Sequence, residues 1–175
     1  MPIDWTLLNQ KPNIMRFLFV MSTLIIFQSC ELDQSISSES PINSDVTDEL
    51  SIHFENFEIE AAKRNLDINL SSLDLTAEIA SIHEDNIAGT CSYSSHHGNH
   101  VVIDQEFWNQ ASFILREMVV FHELGHCVLA QGHREQTDAQ GHCLSLMQSG
   151  TSGCRLLYNN TNRNYYLDEL FFFED

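Results

Sequence analysis

The sequence predicts an α+β domain, and three observations carry that prediction. Apolar residues recur at helical spacing after Asp48, three short β-branched or alternating runs follow, and a nearly all-apolar stretch from Ala111 to Ala130 precedes a last periodic segment. With 175 residues the chain has room for one domain with a single core. Eight Lys and Arg against 25 Asp and Glu give a formal charge of -17, a field that repels phosphate backbones, so no nucleic-acid partner is expected. A 43% hydrophobic fraction with eleven Phe separates the chain from disordered acidic tails, which lack the apolar area to offset ordering entropy.

The elements are read in order. Between Asp48 and Leu66, the spacing of Leu50, Phe54, Phe57, Ala61 and Ala62 predicts an amphipathic helix with Asp48 as its cap. Strands are expected near Asp74 to Ile82, Ile87 to Tyr93 and His100 to Asp104, separated by polar or Gly-containing turns. From Ala111 to Ala130 the chain is apolar almost all round, as a central helix covered on most sides would be, and Gly132 is expected to end it. Tyr165, Tyr166, Leu170 and Phe173 place a C-terminal helix over Asn162 to Phe173. The order is α-β-β-β-α-loop-α, with a small twisted mixed sheet.

Ahead of the domain, Met15-Arg16 leads into the apolar run Phe17 to Phe27 and then Gln28-Ser29-Cys30. The run is too short to span a bilayer, but it has the layout of a secretory signal, and its terminal Cys resembles a bacterial lipoprotein lipobox. Residues 1–29 are therefore read as a signal peptide, with residues 1–14 dispensable because Met15 is the better start, and Cys30 as the lipidation site. Cleavage before Cys30 leaves 6 basic and 24 acidic residues, so lipid alone would hold the protein on a membrane. Residues 30–47, rich in Ser and free of aromatics, read as the lipidated Cys and a flexible tether. Glu31 and Asp33 resemble the acidic surface-export signal of Bacteroidetes-type lipoproteins. Residues 48–175 form the remaining domain. The expected location is a bacterial membrane, at the outer membrane or cell surface.

The chemistry lies inside the central helix, in Phe121-His122-Glu123-Leu124-Gly125-His126. Residues four apart on a helix share a face, so His122 and His126 can bind one ion at about 2.0 to 2.1 Å, with a coordination position left open for water. Glu123 between them is the residue to take that water's proton and hand it to a leaving amine. Burying two His and a Glu in an apolar helix without a partner costs several kcal/mol, which makes a metal the economical explanation.

From Ile79 to Met147 the chain resembles the metzincin zinc metallopeptidases, most of all the matrixin type. Besides HELGH, the resemblance rests on Ile87-Ala88-Gly89-Thr90-Cys91-Ser92-Tyr93, similar to the edge strand above the matrixin cleft. It rests also on Gly98 to Trp108, similar to the segment that follows, and on Leu144-Ser145-Leu146-Met147, similar to the Met-turn. The resemblance implies a metzincin-like zincin fold, one catalytic Zn2+, a Met-turn at Met147 beneath it, a third His ligand after a Gly turn, and extended peptide bound along the edge strand. In the family pattern a Gly and then a His follow HExxH at fixed spacing. Here Leu129 and Gly132 stand at those positions and His133 comes one residue later, so His133 is the expected third ligand, with Gly132 making the turn. His142, also preceded by a Gly, and Asp138 are its competitors. Ser149 stands where some metzincins carry Tyr.

Cys91, Cys127, Cys143 and Cys154 are an even set in an exported chain and argue for two disulfides; Cys91 with Cys127 and Cys143 with Cys154 is the pairing taken among three. His96, His97 and His100 read as a solvated loop between strands, and His53 and His83 as surface residues. The expected function is that of a membrane-tethered zinc endopeptidase, a monomer acting on peptide or protein substrate and meeting the membrane through its lipid only. The alternatives are a catalytically silent zinc-containing surface-binding lipoprotein, which has no need of Glu123, and a metal-dependent hydrolase of another bond.

Overall fold

The structure is a computed structural model that describes residues 46–94, 98–150 and 157–172. The signal segment, Cys30, most of the tether, His96, His97 and Cys154 lie outside those residues. The described elements are α1 (Asp48–Ala62), a 3-10 turn (Leu70–Ser72), β1 (Leu75–Ala80), β2 (Gly89–Ser94), β3 (Gly98–Asp104), α2 (Gln105–Gln110), α3 (Phe113–Cys127) and α4 (Arg163–Phe171). This is the expected α+β order with one addition. Helix α2 is the addition, and it forms because the Asp104 carboxylate accepts the Phe107 N–H at 2.8 Å while Phe107 and Trp108 drop into the core.

The sheet is mixed. Its order is β1-β3-β2, with β1 and β3 parallel, Leu75 opposite Asn99, and β2 and β3 antiparallel, Gly89 opposite Ile103. Strand β2 is therefore an edge. Val101 and Ile103 of the central strand are fully buried, and helix α3 crosses this part of the sheet. On the far side of α3, Phe57 of α1, Phe121 of α3 and Phe171 of α4 meet with ring centroids 4.9 to 6.5 Å apart, joining the three helices.

Around that apolar contact lies a group of charges that composition does not reveal. Glu60 accepts from Lys63, Arg64 and Arg163, while Glu117 accepts from Arg163 and from the Tyr158 hydroxyl at 2.7 Å. Both glutamates are buried. Burial pushes the Glu60 pKa up, but its three cationic partners outweigh that and bring it to about 2.

Several sequence expectations are corrected. Asp48 is the first helical residue of α1 and Thr47 the cap, with no capping side-chain bond. Val46 and Thr47, placed at the end of a flexible tether, are tied to β1: Val46 bridges Ala77, and the Thr47 N–H donates to the Ala77 carbonyl at 3.1 Å. His53 is not on the surface. It is 1% exposed, packed between Trp108 and Phe113. His83 is exposed, as expected. His100 belongs to β3 rather than to a solvated loop, and its Nδ1 lies 2.6 Å from the Thr76 hydroxyl. No helix among the described residues is long and apolar enough to cross a membrane.

Candidate metal centre

Helix α3 delivers the first two imidazoles. It runs buried through Met118 to Val120, then presents His122 and His126 one turn apart at the mouth of a cleft, with rings 4.7 Å apart. The helix ends at Cys127, and the chain reverses so that His133 returns to the same point. The reversal differs from the expected one. Ala130, with φ 54°, takes the left-handed position, and the Gln131 N–H donates to the Gly125 carbonyl at 3.0 Å, a bond one residue wider than the 6→1 bond of a Schellman turn. Gly132 is not the residue that turns the chain; its φ is not positive. His133 is nonetheless brought to the site: its Nε2 lies 3.2 Å from that of His126, which lies 3.1 Å from that of His122.

Among the described residues these three histidines are the group able to hold a metal ion, their ligand atoms all within 4.8 Å of one another. The competitors are elsewhere. His142 Nδ1 pairs with the Asp138 carboxylate at 2.9 Å in the exposed loop that follows.

The donor set fits a cation. His122 Nδ1–H donates to the Leu146 carbonyl at 2.8 Å and His126 Nδ1–H to the Gln131 carbonyl at 2.6 Å. A carbonyl can only accept, so both protons sit on Nδ1 and both Nε2 atoms turn lone pairs toward each other. Two lone pairs at 3.1 Å repel unless a positive charge lies beside them. Protonation is a poor remedy: burial, together with the other two imidazoles, lowers the His122 pKa to about 4 against the opposing Leu146 carbonyl, and burial with His133 lowers that of His126. Ligands about 2.0 to 2.1 Å from a tetrahedral zinc stand about 3.3 Å apart, close to the spacings found here.

Glu123 points to the other side of the helix from Gly125, under the edge strand. It is 5% exposed. Burial raises its pKa to about 8, opposed by the Cys91 backbone N–H that it accepts. Gly89 makes this approach feasible, since a Cβ there would stand 2.9 Å from Glu123 Cγ and Oε1. The strand is also bonded covalently to the helix, because Cys91 and Cys127 form a disulfide as expected. Cys143 is disulfide-bonded too and buried, and its expected partner Cys154 lies outside the described residues.

On the opposite face of α3, a turn over Ser145 to Gln148 places fully buried Met147 against the helix. A Cβ on Gly125 would come within 2.4 Å of Met147 Sδ, so the Gly of HELGH is the residue that admits this side chain. The cleft itself measures about 310 Å³ and is lined by β2 with its preceding turn, by Met118, Val119 and Leu146, and by the three histidines and Glu123. The sequence does not disclose the groups that orient the imidazoles, the carbonyls of Leu146 and Gln131, or the Cys91 N–H that the Glu123 carboxylate accepts. Backbone groups leave no mark in residue identity.

The arrangement thus holds a triple-imidazole metal-binding cluster with a buried carboxylate beside it, the composition of a metal-dependent hydrolytic site. The chain matches no protein-family model and no curated protein.

Proposed function

We propose that the protein is a zinc-dependent endopeptidase of metzincin-like character, with His122, His126 and His133 as the metal ligands and Glu123 as the general base. One observation carries the reading: three Nε2 atoms converge at the mouth of a cleft into which a buried carboxylate also opens. A zinc ion held there supplies Lewis acidity to a carbonyl oxygen and acidifies water. Glu123 takes a proton from the attacking water and delivers it to the departing nitrogen. The Cys91 N–H keeps the carboxylate aimed into the cleft. The edge of β2, unpaired among the described residues, offers an extended chain backbone partners, and Met118, Val119 and Leu146 provide the apolar wall that excludes water beside the scissile bond.

Met147 under Gly125 supports the Met-turn reading, and the disulfide between β2 and α3 supports an exported protein. Tethering through a lipid on Cys30, a monomeric state and a peptide substrate belong to the same proposal. The buried Glu123 speaks against a purely structural zinc site, which needs no acid there. The test is digestion of a random peptide library by the purified protein, with and without a chelator, alongside Glu123→Ala. The variant keeps about one zinc per chain and loses about 10²- to 10⁴-fold in cleavage. Loss of zinc by the variant would put Glu123 among the ligands, and an uncleaved library would leave the peptidase assignment without support.

A further inference from the structure

The residues that orient His122 and His126, and the residue that follows His133, are themselves gripped by two successive residues of helix α4. The Glu169 carboxylate accepts from Arg134 Nη1 at 2.6 Å through one oxygen and from the Leu146 N–H at 3.2 Å through the other. Leu146 is the residue whose carbonyl fixes the His122 ring, and Arg134 directly follows His133. The Arg134 N–H in turn donates to the Met147 carbonyl at 2.9 Å, so the two segments are also joined to each other. The next residue of α4 serves the remaining imidazole: the Leu170 carbonyl accepts from the Gln131 side-chain amide at 2.7 Å, and the Gln131 carbonyl fixes His126. One carboxylate therefore spans the strand of chain carrying His133 and the turn that orients His122, with a helix too far along the sequence to be read as part of the HELGH region.

We propose that Glu169 is a positioning residue for the metal centre, holding the Leu146 turn and the Arg134 segment in the register at which the imidazoles of His122 and His133 converge. The proposal rests on the metal-site reading above. Orienting groups behind metal ligands cost about 10- to 100-fold in affinity when removed, because the ring must then be ordered at the moment of binding. Glu169→Ala removes both of its contacts. Glu169→Gln keeps a side-chain oxygen for the Leu146 N–H and loses the ion pair, and Arg134→Met breaks the His133 arm alone. Asp168→Ala is the control: Asp168 is the preceding residue of the same helix but pairs with Arg64 of the segment after α1, remote from the imidazoles.

Metal-free full-length protein is titrated with Zn2+ against a chromophoric chelator, and the absorption spectrum is recorded with Co2+ in place of zinc. Wild type and Asp168→Ala take up one zinc with the same affinity. Glu169→Ala binds about 10- to 100-fold more weakly with an altered Co2+ spectrum, and Glu169→Gln and Arg134→Met fall between. Should Glu169→Ala not fold, those two variants carry the comparison. Wild-type protein that binds no zinc would overturn the metal reading and this inference with it. If wild type binds and the Glu169 and Arg134 variants match it within about threefold, or if Asp168→Ala weakens binding as much as they do, the inference alone falls.

Discussion

Acidification should destabilise this protein through His53, a histidine remote from the metal-site residues. The ring is 1% exposed, set 4.6 Å from the Phe113 ring and 5.6 Å from that of Trp108, and its Nδ1 has no hydrogen-bond partner among the described residues. Burial disfavours the imidazolium, and Arg116 adds to that while Glu117 opposes it, bringing the pKa from 6.5 to about 4. The native state therefore keeps the ring neutral while the unfolded chain binds a proton below about pH 6.5. The associated stability is fully present above the unfolded pKa and is lost as pH falls through the window from 6.5 to about 4. At about 1.36 kcal/mol per unit, the whole shift is worth about 3 kcal/mol, and integration from pH 7 to pH 5 gives about 2 kcal/mol. His53→Leu keeps an apolar side chain of similar size and removes the unpartnered nitrogen, so it is expected to be close to neutral at pH 7.5 and about 2 kcal/mol more stable than wild type at pH 5. Urea unfolding of both proteins across pH 5 to 7.5 reads this directly. Metal release and the titration of Glu60 occur in both proteins and cancel in the difference. Parallel stability curves for the two would refute the assignment of His53 as a buried neutral group.

Ala130 holds a left-handed conformation that suits glycine, so Ala130→Gly should raise stability by about 0.5 to 1 kcal/mol in urea or thermal unfolding and leave zinc content unchanged; destabilisation would contradict the left-handed turn placed there. Cys91 and Cys127 close a loop with a sequence separation of 36, and chain-entropy reasoning gives that link about 3 to 4 kcal/mol. The double Ser variant is accordingly expected to unfold at markedly lower urea concentration, and an unchanged midpoint would show that the bond does not constrain the unfolded chain. Cys30→Ser is expected to move the protein from the membrane to the soluble fraction in a cell fractionation with no change in zinc content, and retention on the membrane would show that the segment Phe17 to Phe27 remains as the anchor.

What the sequence disclosed and what it hid follow a physical division. His122, Glu123 and His126 were legible because a helix fixes their relative positions to within one turn, so spacing alone carries geometry. His133 needs a chain reversal, and glycine, the usual left-handed residue, points to Gly132; Ala130 takes that role instead, which glycine content does not reveal. His53 and Glu60 stood in plain view on the same helical stripe as Leu50, Phe54, Phe57 and Ala61, seven residues apart and hence on one face. Residue type speaks against a core position for either, and Arg64 and Arg163, far apart in sequence, are what make burial of Glu60 tolerable. Pairings of that range leave no local signal.

The metal centre shows the same division within a few ångströms. Its ligands are side chains and were named from the sequence, while the carbonyls of Leu146 and Gln131 that decide which nitrogen of His122 and His126 carries the lone pair are backbone groups available to any residue. Such groups are specified only by where the chain is held, and α4 does the holding through the Glu169 carboxylate and the Leu170 carbonyl. The C-terminal helix thus stands behind the imidazoles that α3 and the following turn carry. A sequence comparison confined to the HELGH helix would miss the part of the molecule that makes three histidines converge on one point.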